Sequence, residues 1–96
     1  MEHTSEKYFE KTLKKKVTDL GGECLKWVSP GTNGVPDRLI FMPNEKLYIA
    51  EIKTTGKDLQ PLQKYWMRRL VSLGFKHYIV DSDESLNKLL NDIQAI

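Results

Sequence analysis

Two carboxylates and a lysine are the groups in this sequence best suited to chemistry. Asp37 follows Pro36, and Glu51 and Lys53 stand further along in the run Glu51-Ile52-Lys53. A hard divalent cation binds through oxygen ligands, so two carboxylates in one place suit it. An ammonium beside such an ion is left to act on water or phosphate.

The stretch between them explains how they can meet. Arg38 to Met42 and Leu47 to Ala50 read as two strands, joined by Pro43-Asn44-Glu45-Lys46. A hairpin places the start of its first strand beside the end of its second. Asp37 is therefore expected next to Glu51 and Lys53. In the second strand Leu47, Ile49, Glu51 and Lys53 point one way, while Tyr48, Ala50 and Ile52 point the other. Two charged groups thus continue an apolar face, where burial without a purpose is unfavourable.

The remaining elements must hold this corner. Ser5 to Leu20 reads as a helix with Phe9, Leu13, Val17 and Leu20 on one stripe, ended by Gly21-Gly22. Lys11, Lys14, Lys15 and Lys16 lie mostly off that stripe. Glu23 to Val28 reads as a strand, and Ser29 to Gly34 as a turn-rich loop. After the hairpin comes a polar loop, Thr54 to Asp58. Gln60-Pro61 fits an N-cap with proline at the first helical position. The helix that follows carries Leu62, Trp66, Leu70 and Leu73 as its apolar stripe, with Tyr65 alongside, and Gly74 stops it. Lys76 to Val80 is a fourth strand. Ser82 caps a last helix bearing Leu86, Leu89, Leu90 and Ile93. The order is α-β-β-β-α-β-α. The hairpin pairs antiparallel, and the helical crossover between the third and fourth strands favours parallel pairing. The expected fold is α/β, a mixed four-stranded sheet flanked by helices.

The chain has 96 residues and is expected to form one domain, 1–96. A net charge of +2 permits nucleic-acid binding without demanding it. The single cysteine, Cys24, excludes an internal disulfide framework and reads as structural. No apolar run reaches membrane-spanning length, so no membrane association is expected and a cytoplasmic location is. His77 reads as a strand residue, and Trp27 and Trp66 as core or interface residues. His3 is read as lying in a frayed terminus.

These residues resemble a family. Gly34-Val35-Pro36-Asp37-Arg38, Glu51-Ile52-Lys53 and Gln63, together with Gly21-Gly22 and Ser29-Pro30-Gly31, are similar to the PD-(D/E)xK nuclease superfamily, and within it to the VRR-NUC domain. The likeness runs from about Glu6 to Leu90. It implies a restriction-endonuclease-like core and a nuclease dependent on Mg2+ or Mn2+. Small stand-alone members, typical of phages, resemble Holliday-junction resolvases and act as homodimers. For a phage protein the location would be the cytoplasm of the bacterial host.

On that resemblance Asp37 and Glu51 would be direct metal ligands, with the backbone carbonyl of Ile52 supplying another oxygen. Lys53 would orient or deprotonate the attacking water, or stabilise developing charge. Glu10 is the first candidate for the helix-borne acid of the superfamily, acting on the metal directly or through water, and Glu6 one turn earlier competes with it. Gln63 would hold the lysine, a water or the phosphate. Ser29, Gly31, Gly34, Arg38, Lys57, Lys14 and Lys15 are the candidate nucleic-acid contacts, with Lys64, Arg68 and Arg69 as further basic groups. Arg38 could equally pair with an acid. The expected substrate is branched or four-way-junction DNA, cut by a homodimer. Tyr8, Tyr65, Met67 and Val71 are the candidate interface residues. A nickase acting on flap or duplex DNA, a non-catalytic nucleic-acid-binding module and a protein-interaction domain are the alternatives.

Overall fold

The computed structural model describes residues 2–95. They form α1 (Glu6–Asp19), β1 (Glu23–Lys26), β2 (Arg38–Met42), β3 (Lys46–Ile52), α2 (Pro61–Ser72), β4 (Lys76–Val80) and α3 (Asp83–Gln94). The architecture is α/β, in the expected order. The sheet runs β1-β2-β3-β4, with β1/β2 and β2/β3 antiparallel and β3/β4 parallel.

Local chemistry accounts for the ends of these elements. Ser5 caps α1, its hydroxyl accepting the amide N–H of Tyr8. Ser82 caps α3 in the same way through Ser85. Pro61 opens α2, where the missing N–H costs no hydrogen bond. At the hairpin Met42 pairs with Lys46, so three residues make the turn. Asn44 and Glu45 both take positive φ there, which asparagine tolerates better than most residues.

α1 and α3 share one face of the sheet. Phe9, Leu13 and Val17 meet Ile40, Tyr48, Ala50, Ile52 and Val80, and Leu86, Leu89, Leu90 and Ile93 close the cluster. Each fully buried side chain of this size contributes about 1.5–3 kcal/mol. β3 is one of the two inner strands: from Tyr48 to Ile52 every residue is buried, so both of its faces are covered there. At the N-terminus the expected fraying of His3 is absent: its backbone N–H donates to Asp83 Oδ2 at 3.1 Å, and the carbonyl of Thr4 accepts the N–H of Thr55 at 3.1 Å.

The opposite face departs from expectation. α2 packs along β4 and buries only Leu70; Leu62 and Leu73 of its expected stripe are 52% and 54% exposed, and Trp66 is half-buried. The reason is geometric. A helix about 10 Å wide lies on a sheet whose outer strands are roughly 14 Å apart at ~4.8 Å spacing, and no second helix shares that face. Leu25 and Phe41 stay exposed for the same reason. β1 also stops at Lys26, short of the expected Val28, which is exposed. Leu20 is the C-cap of α1 and is exposed, because Gly21 at φ 87° turns the chain away.

Two glycines are required by close approach. A Cβ on Gly22 would lie 2.6 Å from the Phe41 carbonyl, where the end of α1 presses on β2. At Gly34 φ is +88°, and a Cβ would lie 2.5 Å from the Leu62 Cβ and 2.7 Å from its backbone carbonyl carbon. Gly34 therefore docks the Ser29–Gly34 loop onto the start of α2. Gly56 has a similar φ of +88° but open space around it. Gly34→Ala should lower stability by about 1–3 kcal/mol more than Gly56→Ala, because it adds overpacking to strain. Urea-unfolding midpoints of the two variants would test this.

Candidate active site

The hairpin register carries the corner. Arg38 pairs with Ala50, so Asp37 stands next to Glu51 at the shared end of β2 and β3. Two backbone amides hold Asp37. Its side-chain Oδ2 accepts the N–H of Ile52 at 2.9 Å, and its carbonyl accepts the N–H of Trp27 at 2.8 Å. Pro36, fully buried, fixes the chain just before it. The part played by Ile52 was anticipated through its carbonyl. What the structure displays is its amide, which orients the aspartate.

Glu51 leaves β3 on the face opposite Ala50 and Ile52, toward α2. It is 1% exposed. Its Oε1 accepts a hydrogen bond from the side-chain amide of Gln63 at 2.9 Å. Gln63 is itself fixed, since its Oε1 accepts the N–H of Gln60 at 2.7 Å across the first turn of α2. The sequence suggested the lysine, a water or the phosphate as partners for Gln63; in the structure its amide meets the glutamate instead. The second glutamate oxygen, Oε2, is buried and has no partner among the described residues.

The electrostatics follow from this placement. Burial pushes the Glu51 carboxyl up to about 8, and the Asp37 carboxylate beside it adds to the rise. The Lys53 ammonium opposes the rise, and Glu6 at the start of α1 reinforces it. Lys53 is half-buried, and its amide N–H donates to the Val80 carbonyl at 2.9 Å, which carries the β3/β4 pairing past the glutamate.

The other expected residues are less concentrated. Glu10 lies with the α1 face, where its Oε1 is 3.3 Å from Nη2 of Arg38. Arg38 pairs with an acid, and Glu10 is engaged away from the Asp37–Glu51 pair. Glu6, exposed one turn earlier, is the α1 acid whose charge reaches Glu51. Gly34 spends its close approach on Leu62. Gly31, with φ +79° and nothing within 4 Å, is open, and Ser29 is half-buried. Lys57 is exposed on the loop after β3, Lys15 pairs with Asp19 at 3.2 Å, and Lys14 is exposed along α1 near Cys24. Lys64, Arg68 and Arg69 are exposed on α2. His77 is half-buried in β4, and burial lowers its pKa.

Among the described residues no group of three or more His, Cys, Asp or Glu side chains is gathered closely enough to cage a metal ion. Asp37 and Glu51 are a pair. That fits an ion that keeps most of its own water, as Mg2+ does. The second oxygen of Glu51, buried beside Asp37, is a donor that such an ion could use; without an ion, the raised pKa keeps the group neutral.

A mixed sheet whose two central strands bring an aspartate and a Glu-x-Lys to one end, with a helix amide on the glutamate, defines a restriction-endonuclease-like α/β domain. Comparison with known proteins makes this specific. The VRR-NUC domain model matches residues 3–84. A protein of Acyrthosiphon pisum secondary endosymbiont phage 1, named "Putative nuclease p44", is 41% identical over 75 residues, covering 78% of this chain and 81% of that protein. A solved VRR-NUC domain superposes with a TM-score of 0.86 at 27% identity, over 93% of this chain and 97% of the other. The chain belongs to the VRR-NUC domain family, whose nuclease character implies a nucleic-acid substrate. No helix among the described residues is long and apolar enough to cross a membrane.

The raised Glu51 pKa sets a pH dependence. Between the ordinary glutamate value of 4.5 and about 8 the unfolded chain has lost this proton while the folded chain keeps it. The metal-free fold therefore loses stability as pH rises through that window. Glu51→Gln should flatten this slope and raise the metal-free melting temperature at pH 8 relative to wild type. Thermal melts from pH 5 to 9 in chelator would show it.

Proposed function

We propose that this chain is a divalent-metal-dependent endonuclease that hydrolyses phosphodiester bonds in branched DNA, with four-way junctions as the preferred substrate. The observation that carries this reading is the buried Glu51 carboxylate, one oxygen on Gln63 and the other without a partner, beside Asp37. Its fit to a hydrated Mg2+ or Mn2+ ion, within a VRR-NUC fold, supports cation-assisted hydrolysis over a binding-only role.

Asp37 and Glu51 would hold the ion, with the Ile52 carbonyl as a further oxygen and Glu6 as the helix-borne acid. Glu6 is preferred to Glu10 because Glu10 is occupied by Arg38. When bound, such an ion polarises a phosphoryl oxygen and offsets the charge that develops during hydrolysis. The protein's own groups do the rest. The Ile52 amide keeps the aspartate from rotating, and the Gln63 amide keeps the glutamate from rotating. Lys53 lies within electrostatic reach of Glu51, so its ammonium can orient the attacking water or stabilise the charge on phosphate. The Ser29–Gly34 loop, resting on α2, and the loop carrying Lys57 are the segments nearest in sequence to these groups and serve as backbone contacts to the nucleic acid.

Resolution of a four-way junction needs two symmetric cuts, which a two-fold dimer supplies. Of the expected interface residues, Tyr65 and Val71 are exposed on α2, Met67 is half-buried, and Tyr8 is taken up by packing against the core. The uncovered α2 face is therefore the proposed contact. Sedimentation equilibrium at micromolar concentration should return twice the chain mass, and Val71→Asp should reduce it to one; a monomeric wild type would remove the dimer.

Catalysis is tested by cleavage of labelled four-way junction, flap, duplex and single-stranded DNA, with Mn2+, with Mg2+ and with chelator. Junction cleavage should require the metal. Asp37→Asn, Glu51→Gln and Lys53→Ala should each lower its rate by about 10²-fold or more, with the fold retained. Full activity in all three would discard the assignment. Flap or duplex nicking alone would move the substrate to the nickase reading. Tight binding without cleavage would make the chain a binding module.

A further inference from the structure

Trp27, read from sequence as a core or interface residue, is half-buried and lies outside the core cluster. The β1/β2 register fixes its place. Lys26 pairs with Arg38, and one position further on the Trp27 N–H donates to the Asp37 carbonyl at 2.8 Å. Trp27 and Asp37 thus stand opposite each other, with Cβ atoms about 5 Å apart. Alternation along β1 sends Cys24 into the core, so Leu25 and Trp27 belong to the other face, the side of α2. Asp37 and Glu51 share that face, because Arg38 and Ala50, their paired neighbours, take the α1 side. Trp27, Asp37 and Glu51 form one row across three strands.

The Trp27 end of the row is open. β1 is an edge strand, while α2 packs along β4 at the opposite edge. Leu25, two residues before Trp27 on the same face, stays exposed. Trp66 meets Tyr65 edge-on at 5.2 Å, whereas among the described residues no aromatic ring stacks on Trp27. Lys26 is exposed next to it, and Lys57 is exposed on the loop that leaves β3. An aromatic ring at an open sheet edge, with a lysine beside it, matches a nucleobase and its phosphate.

We infer that Trp27 stacks on an uncovered base face next to the phosphodiester at the Asp37–Glu51 corner, and that this contact selects branched over continuous duplex DNA. This rests on the nuclease reading above. Inside a continuous duplex each base pair is covered on both faces by its neighbours, so an aromatic ring has nothing to stack on. A branch point uncovers a base face while the backbone runs on beside it. Trp27 and Asp37 are direct cross-strand neighbours, so one nucleotide can meet both. Every base has a π-face, so the contact reads the shape of the DNA and not its sequence. Trp27 binds and orients the substrate; it takes no part in proton transfer.

The test uses the whole chain. Affinities for a labelled four-way junction and for duplex of the same sequence are measured by anisotropy in chelator, for wild type, Trp27→Ala, Trp27→Phe and Trp27→Leu. Trp27→Ala should weaken junction binding about 10-fold and duplex binding by less than about 2-fold. Trp27→Phe should recover most of the loss. Trp27→Leu, which restores apolar bulk without a ring, should not. A second measurement leaves Trp27 in place. In Trp66→Phe it is the only tryptophan, and its emission should be quenched by the junction and not by the duplex. Equal losses on both DNAs, equal recovery by Phe and Leu, or unquenched emission at saturating junction would each overturn the stacking contact. Any of these alongside junction cleavage by wild type in Mn2+ would leave the nuclease reading standing. Quenching and a junction-selective loss, with no cleavage in any divalent metal, would overturn the nuclease reading and leave Trp27 as the contact of a binding module.

Discussion

Glu51 is an ionisable side chain near the end of an inner strand, out of contact with water, next to a second carboxylate. No packing requirement calls for it. An apolar residue there would continue the run of Leu47 and Ile49 and would remove both a desolvation cost and a like-charge repulsion. The surroundings instead accommodate the acid. The Ile52 amide points at its neighbour Asp37, the Gln63 amide binds one of its oxygens, and Lys53 partly offsets its charge. The other oxygen is left without a partner. On the proposed function, the corner is built around a positive charge that enters from solution. Each supporting element can be read as a consequence of keeping this residue buried and oriented.

The hairpin register is what makes the pairing possible. Side chains alternate along a strand, so a slip of one residue between β2 and β3 would send Glu51 to the α1–α3 face. That face is filled by Phe9, Leu13, Val17, Ile40 and Leu89, and it has no room or partner for a carboxylate. The apolar core thus enforces the register as strictly as the turn does. Core packing and site geometry are one constraint seen from two sides of the sheet. This also explains Arg38, which alternation places on the α1 side. There it must find an acid, and Glu10 supplies one.

Much of this was legible from sequence, because it rests on short-range rules. The hairpin brought Asp37 to Glu51, capping chemistry placed the starts of α2 and α3, and the apolar stripes of α1 and α3 named the core. What failed depended on how much surface one element can cover. Leu62 and Leu73 carry helical spacing, yet spacing cannot say that α2 lies alone on a sheet too wide for it. The choice between Glu10 and Glu6 could not be closed from sequence for a related reason. Both lie on the same side of α1, and which acid meets Arg38 depends on where the helix axis crosses β2. Gly34 was read as a candidate nucleic-acid contact. Its neighbour is Leu62, a contact between residues whose proximity appears only in three dimensions. The Thr4–Thr55 and His3–Asp83 contacts span long sequence separations, and no local signal marks them.

The two faces of the sheet divide the work unequally, and the division bears on function. The α1–α3 side buries nearly all the large apolar groups and supplies the stability that a chain of this size needs. The α2 side buries fewer apolar groups, Ile49 and Leu70 among them, and carries Glu51 and Gln63. A loosely covered face is a poor source of stability, yet Glu51 beneath it is still buried. The exposed apolar residues on this side, Leu25, Phe41, Tyr65 and Val71 among them, are surface that α2 leaves uncovered. They are tolerable in water at this size, and more so if a second chain covers them while leaving the β3 end open.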